Sequence, residues 1–395
     1  MRVLYIATAF PRHEGDIITP WLLEAVRRIK HRGIDVEVFT SSYKGLGEQT
    51  LYGIKIYRFR YFFKKFETLT HEETAVDRVK KGFLNKLLVI FYLIFGTRAI
   101  IHLTKRKKYD VIHTHWPLPH AIFGYFASKY SHARHVLYFH GVELMWVKKE
   151  LKILKPFLRW AIRKADAVIC NSSHTQARIK EIYDRDVLII PSGQAAMYDL
   201  QAHIVPEHHK PKPEYILFVG RLVERKGVKY LIEAFVRIVD KYPVRLKIIG
   251  EGPELPNLIK LAKEKRVSDK VDFLGKVSTQ ELDSYYRNAT LFVLPAIVDT
   301  KGDTEGLGVV LIEALTYKLP VVASSVGGIV DIIKDRETGL LVPEKNSAAL
   351  AEAISVLLEH PDYAMALAEK GYKYVSEKYN WDKIIDQILK VFYGQ

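Results

Sequence analysis

Cysteine is almost absent from this chain of 395 residues: Cys170 stands alone. A disulfide framework is therefore excluded, and a reducing, cytosolic address is the expectation. The thiol lies in the apolar run Ala167-Val168-Ile169-Cys170, where an inert buried side chain is expected, not a nucleophile. Long apolar runs are missing as well. The nearest, from Leu87 to Gly96, is about half the 18–20 residues of a membrane span. Met1-Arg2 leads directly into Val3-Leu4-Tyr5-Ile6-Ala7, which reads as a first strand and not as a signal peptide. His113 and His115 lack a third ligand nearby, so no metal is expected there.

Acidic residues are scarce in one half only. Residues 1–199 hold 33 Lys and Arg against 18 Asp and Glu, whereas residues 200–395 hold 27 against 27. The net charge of +15 thus sits wholly in the first half. That half calls for an anionic partner: nucleic acid, an acidic glycan or an anionic lipid surface. No nucleic-acid-binding module is legible, which sets nucleic acid aside.

What is present is a repeated grammar of short apolar strands and amphipathic helices, the mark of parallel sheets covered on both faces. Single cores seldom exceed about 250–300 residues, so two domains are expected. In the first, strands are expected at 2–8, 35–40, 54–60, 110–114, 135–139, 166–170 and 187–190, and helices at 19–32, 83–104, 118–130, 150–164 and 173–183. The polar, Pro-rich segment Glu207-His208-His209-Lys210-Pro211-Lys212-Pro213 breaks the pattern and reads as a hinge. The boundaries that follow are 1–199, a linker at 200–213 and a second domain at 214–379, with a terminal helix at 380–395 packing back on the first. The expected fold class is α/β, two Rossmann-like, doubly wound parallel-sheet domains facing across a cleft at the carboxyl ends of their strands.

Two motifs carry chemistry. Val219-Gly220-Arg221-Leu222-Val223-Glu224-Arg225-Lys226-Gly227 follows an apolar strand and opens a helix. Gly220 admits a tight turn, the helix start offers unpaired N–H groups, and Arg221 and Lys226 add two cations, together a grip for a pyrophosphate. The second motif is Glu305-Gly306-Leu307-Gly308-Val309-Val310-Leu311-Ile312-Glu313, two carboxylates eight residues apart. Glu305 sits in a Gly-containing loop before a helix and Glu313 about two turns inside it; eight steps at about 100° place the carboxylates about 80° apart on a broad face, suited to accepting sugar hydroxyls.

These motifs resemble those of the family 4 glycosyltransferases of GT-B fold, along with Gly250-Glu251-Gly252-Pro253, Phe273-Leu274-Gly275, Gly327-Gly328 and Thr338-Gly339-Leu340-Leu341-Val342-Pro343. The resemblance implies that Arg221 and Lys226 hold the donor diphosphate, Glu305 the donor sugar and Glu313 the ribose. It adds Gly220, Gly250, Gly306, Leu307 and Gly308 to the donor contacts. Tyr138-Phe139-His140-Gly141-Val142-Glu143 ends a strand, and the resemblance places His140 near the anomeric carbon and the acceptor. The loop around Gly15 resembles the family's acceptor-side loop but has one Gly where two are commoner. Pro191-Ser192-Gly193-Gln194 also departs from the usual form and receives no catalytic role. The implied catalytic set is His140, Arg221, Lys226 and Glu305.

The implied activity is retaining transfer of a hexose from a UDP- or GDP-sugar to a hydroxyl, on a lipid-linked or membrane-associated glycan in polysaccharide or glycolipid synthesis. No cofactor and no metal are expected: Asp184-Arg185-Asp186 precedes a strand in the basic half, and Arg221 and Lys226 supply the charge a metal would. The alternative is a nucleotide-sugar-binding protein of the same fold, docked at a membrane, that transfers nothing or acts as an epimerase does.

A basic, aromatic stretch completes the reading. Tyr57-Arg58-Phe59-Arg60-Tyr61-Phe62-Phe63-Lys64-Lys65-Phe66 is followed by Lys80-Lys81, the apolar run Leu87–Gly96, Arg98 and Lys105-Arg106-Lys107-Lys108. Basic ends around an apolar middle suit an interfacial helix on the inner face of an anionic membrane. An ordinary core helix with a solvated basic tail fits the same residues. The aromatics favour the first.

Overall fold

The computed structural model describes residues 1–16, 18–71, 78–79, 82–149, 151–193 and 215–395. The expected hinge at 200–213, Gln194 and Lys80-Lys81 lie outside these residues. The chain divides into two compact units, Met1–Ala196 together with Trp381–Gln395, and Met197–Asn380.

In the first unit the order is β1 (Arg2–Ile6), α1 (Pro20–His31), β2 (Asp35–Ser41), β3 (Gln49–Leu51), β4 (Ile54–Phe59), α2 (Phe83–Arg106), β5 (Val111–His115), α3 (Pro117–Ser131), β6 (Arg134–Phe139), α4 (Val142–Lys149), α5 (Lys155–Lys164), β7 (Ala167–Cys170), α6 (Ser173–Lys180) and β8 (Leu188–Ile189). They form one eight-stranded sheet, β3-β4-β2-β1-β5-β6-β7-β8. Only β3 runs antiparallel, to β4. Strands β5, β6 and β7 are buried almost throughout, as strands covered on both faces must be. Because β1 pairs with both β2 and β5, the winding reverses there, and the loops after β1 and β5 flank the place where such sheets bind ligands.

Several expectations are corrected. The helix expected at 150–164 begins only at Lys155, as α5, with Pro156 in its first turn, where a missing N–H costs nothing, and α4 before it was not expected. Strand β3 is too short to show a period. Half of the basic, aromatic run turns inward: Arg58 is buried in β4 and donates to the carbonyls of Phe10 and Pro11 at 3.2 and 2.6 Å. Arg60 pairs with the buried Glu67 at 2.5 Å. Arg60 and Phe63–Lys65 are exposed, and Phe62 and Phe66 are partly so. Helix α2 is 24 residues long and holds an 18-residue stretch of mean hydropathy 1.9, long and apolar enough to cross a membrane by length and composition. The uninterrupted apolar run is Leu87–Gly96, as expected; the helix reaches that measure because Ala99, Ile100, Ile101 and Leu103 continue it beyond Arg98.

The second unit repeats the plan: β9 (Tyr215–Val219), α7 (Val228–Ile238), β10 (Arg245–Ile249), α8 (Leu255–Glu264), β11 (Val271–Gly275), α9 (Thr279–Asn288), β12 (Leu291–Leu294), α10 (Val309–Thr316), β13 (Val321–Ser324), α11 (Ile329–Ile332), β14 (Leu340–Val342), α12 (Ser347–Glu359) and α13 (Pro361–Lys378). Its six strands, all parallel, lie in the order β11-β10-β9-β12-β13-β14, with the reversal between β9 and β12. Local chemistry sets the helix ends. Helix α9 opens on a capping box in which the Ser278 hydroxyl accepts from the Glu281 N–H and the Glu281 carboxylate accepts from the Ser278 N–H.

The last helix, α14 (Trp381–Tyr393), belongs to the first unit. Ile384, Ile385, Ile388, Val391 and Phe392 enter the core built by Val3, Tyr5 and Val38. Arg32 bonds Asp382 and Asp386 at 3.0 Å each, and Gly193 leaves room for Trp381, whose ring would lie 2.5 Å from an added Cβ.

Ile384→Ala is expected to cost about 2–5 kcal/mol of first-unit stability. All five tryptophans, Trp21, Trp116, Trp146, Trp160 and Trp381, lie in that unit, so tryptophan emission in a urea titration reads the loss. The midpoint falls if the helix is integral to the core, and an unmoved midpoint would show that it is not.

Candidate active site

In the second unit the motif residues gather at the carboxyl ends of β9, β10, β12 and β13. Glycines make this possible by letting backbones touch. A Cβ on Gly250 would lie 2.0 Å from the Gly220 carbonyl, and one on Gly328 would lie 2.1 Å from the Gly306 carbonyl. The Gly328 N–H donates to the Glu305 carbonyl at 2.9 Å, which fixes the loop that carries Glu305.

The centre of the site is an ion pair. Lys226 Nζ lies 2.5 Å from Glu305 Oε2, and the two side chains are only 9% and 12% exposed. Arg225 joins them, 3.2 Å from the same carboxylate oxygen and 3.4 Å from Asp303. Burial alone would raise the Glu305 carboxyl, but the fields of Lys226 and Arg225 outweigh it and hold the group below the usual carboxylate range. Gly220 adjoins the ammonium: a Cβ placed there would stand 3.7 Å from Lys226 Nζ. Two cations thus face two carboxylates. Arg221, by contrast, is exposed, and among the described residues no ion pair engages it.

Glu313 sits in α10 and accepts from the Tyr286 hydroxyl at 2.8 Å. Burial pushes its carboxyl up to about 7, against that hydrogen bond and the field of Lys226. Lys226 therefore acts electrostatically on both carboxylates of the motif.

One geometric expectation is corrected here. Glu305 lies in the loop before the helix, as expected, but α10 begins only at Val309, after Gly308 with φ +90, so the 80° relation does not apply. The Glu305–Glu313 link runs through Lys226 instead of along a helix face. The helix expected to open at the end of the Gly220–Gly227 motif does so: Glu224–Lys226 is a 3₁₀ turn, and α7 starts after Gly227. Leu307 turns its side chain into the core, leaving its backbone as the part that can meet a ligand. Arg225, Asp303 and Tyr286 were not singled out from sequence. Arg225 stands within the quoted loop, but its partners are remote in the chain.

The first unit has its own cluster at the reversal point. His140 follows β6, stacks on Trp116 with ring centroids 4.4 Å apart, and meets His115 with Nε2 to Nδ1 at 3.0 Å. Burial pushes His140 down to about 3, so the ring is neutral near pH 7. Its N–H of the main chain donates to Glu143 Oε1 at 2.9 Å. Glu143 is fully buried, which pushes its carboxyl up to about 7 against the main-chain N–H groups that hold it. The spacing of three residues between His140 and Glu143, a helix-capping distance, was the available signal for this contact. Gly15 lies in the loop after β1 with φ +79, and its N–H donates to the Tyr52 hydroxyl at 3.1 Å. Arg12 closes that loop on Asp16 at 2.7 Å. His113 is buried with neither ring nitrogen partnered among the described residues. Those residues contain no group of three or more His, Cys, Asp or Glu suited to a metal.

The raised Glu313 pKa has a consequence for stability. A folded-state value of about 7 against 4.5 for the free group means that its contribution is fully present below pH 4.5 and is lost as pH rises through 7. Glu313→Gln is expected to flatten the pH dependence of second-unit stability in that window, read by far-UV circular dichroism in urea. A slope equal to that of the parent would contradict the assigned environment.

With this geometry in view, relatives can be compared. The family "Glycosyl transferases group 1" matches residues 201–374, and "Glycosyltransferase Family 4" matches residues 21–193. An uncharacterised glycosyltransferase of Methanocaldococcus jannaschii is 27% identical over 334 residues, 83% of this chain and 89% of that protein. A GDP-mannose-dependent alpha-(1-6)-phosphatidylinositol monomannoside mannosyltransferase of Mycobacterium tuberculosis is 29% identical over 273 residues, 65% of this chain and 68% of that one. Among solved structures, Anabaena HepE in complex with UDP and glucose superposes with a TM-score of 0.71 at 17% identity, over all of both chains. Two family matches that together take up most of the chain, on two parallel-sheet α/β units, identify it: it belongs to the family 4 glycosyltransferases of GT-B fold.

Proposed function

We propose that this glycosyltransferase moves a hexosyl group from a nucleoside diphosphate sugar, UDP- or GDP-linked, to a hydroxyl of a lipid-linked glycan, with retention of anomeric configuration and without a metal. The observation that carries the reading is the buried Lys226–Glu305 pair beside Gly220, with Arg221 uncommitted at its rim. Arg221 attracts the diphosphate from solvent, and its planar fork grips two oxygens at once. Lys226 meets the phosphate nearest the sugar, Glu305 accepts hydroxyls of the sugar, and Glu313 accepts those of the ribose. The mannosyltransferase relative is GDP-dependent and the solved neighbour binds UDP, which supports a nucleotide-sugar donor and leaves both bases in play.

In the reaction the acceptor oxygen bonds to the anomeric carbon as the bond from that carbon to the phosphate oxygen breaks. The acceptor proton passes to the departing diphosphate on the same face. Negative charge grows on that diphosphate, where Lys226, already oriented by Glu305, and the exposed Arg221 supply positive charge. His140, held neutral by burial, serves as a hydrogen-bonding group toward the sugar or its acceptor, not as a cation.

Lys226→Ala is expected to lower turnover by roughly 10²–10³-fold, comparable to removal of one preorganised oxyanion donor. A thermal-shift panel of UDP-, GDP- and ADP-sugars names the base, because bound donor raises apparent stability by mass action. Parent-like turnover in Lys226→Ala, or no shift with any nucleotide sugar, would overturn the proposal.

A further inference from the structure

Helix α2 is apolar on two faces. One is used: Leu88, Tyr92, Gly96, Ile100 and Thr104 are buried at four-residue steps. Tyr92 bonds His120 at 2.8 Å, and Gly96 rests on Phe123, whose Cζ would be 2.4 Å from an added Cβ. The other is bare. Ile90 and Ile94 are 54% and 56% exposed, and Phe83 is 81% exposed. They lie on the row Lys86-Ile90-Ile94-Arg98 or beside it, since residues four apart share a face.

The bare face does not end at the helix. Phe95 stacks on Phe91 at 6.1 Å, Phe91 meets Phe62 at 5.2 Å, and Phe62 meets Phe63 at 5.1 Å. Phe63 is 72% exposed and precedes Lys64 and Lys65. Two segments distant in sequence thus make one apolar patch with cations at its margins. Helix α2 contains no Asp or Glu, and Lys86, Arg98, Lys105 and Arg106 are its charges.

We propose that this patch docks the first unit on an anionic bilayer surface, with Ile90, Ile94, Phe95, Phe83 and Phe63 entering the headgroup and acyl boundary. The charge pattern selects this occupant: an apolar centre ringed by cations, with no acid on the helix, matches a lipid interface whose headgroups are anionic. The helix lies on the membrane and does not cross it, because crossing would strip Leu88, Tyr92 and Ile100 from the core they share with Phe59 and Phe123. The inference stands apart from the transferase reading, since docking needs no donor.

The test is co-sedimentation of the full chain with vesicles of phosphatidylcholine alone and of phosphatidylcholine with phosphatidylglycerol. Binding is expected to the anionic vesicles, at least tenfold stronger than to the neutral ones, and to weaken as salt rises. Ile94→Glu and Phe63→Glu are each expected to lower it at least tenfold with unchanged tryptophan emission and circular dichroism. Ile94→Ser serves as the milder variant should Ile94→Glu fail to fold. Equal binding to both vesicles, or none to either, would overturn the proposal. So would a concentration-dependent dimer that Ile94→Glu dissolves, which would assign the patch to a second copy of the chain.

Discussion

A lysine and a glutamate 2.5 Å apart, both largely removed from water, set the terms for the second unit. Burying either charge alone would be costly, and removing one partner of such a pair typically destabilises by about 3–5 kcal/mol. The surrounding backbone is arranged to keep them together. Gly328 holds the Glu305 carbonyl, Gly227 fits against the Pro295 carbonyl, and Arg225 and Asp303 complete a neutral four-charge cluster. In the proposed reaction a donor would meet a carboxylate and an ammonium already oriented, and Arg221, whose charge no ion pair among the described residues claims.

The first unit holds three imidazoles kept neutral by burial. His113, His115 and His140 are all pushed below the ordinary imidazole range, and burial raises Glu143 to about 7. The His115–His140 contact commits one ring nitrogen of each, so the tautomer of one constrains the other. Part of the unit's excess positive charge, Lys64, Lys65, Lys86 and Arg98, borders the apolar patch on α2 and the segment Phe62–Phe66. The proposed substrate chemistry and the proposed surface attraction thus fall on different residues of the same unit.

The strands were legible because parallel strands covered on both faces must be apolar along their length; 35–40, 54–60 and 166–170 moved by a residue at most between reading and structure. Gly220, Lys226, Glu305 and Glu313 were legible as motif residues, and the family resemblance built on them holds. What the chain hid were contacts set by tertiary partners. No local pattern says that Tyr286 will hold Glu313, that Arg225 will reach Glu305 and Asp303, or that Gly327-Gly328 will brace the Glu305 loop and delay α10 to Val309. The same holds for Arg58, which reads as a surface cation beside aromatics and is instead a buried strap across the carbonyls of Phe10 and Pro11.

The central claim is that Lys226 and Glu305 act on the donor as one device. The most direct measurement is a double-mutant cycle in transfer rate, comparing Lys226→Ala, Glu305→Gln and the double variant with the parent. Residues in contact usually couple by about 0.5–3 kcal/mol. The account predicts that the double variant is little slower than the worse of the two singles. Fully additive losses, or a Glu305→Gln protein as active as the parent, would contradict it.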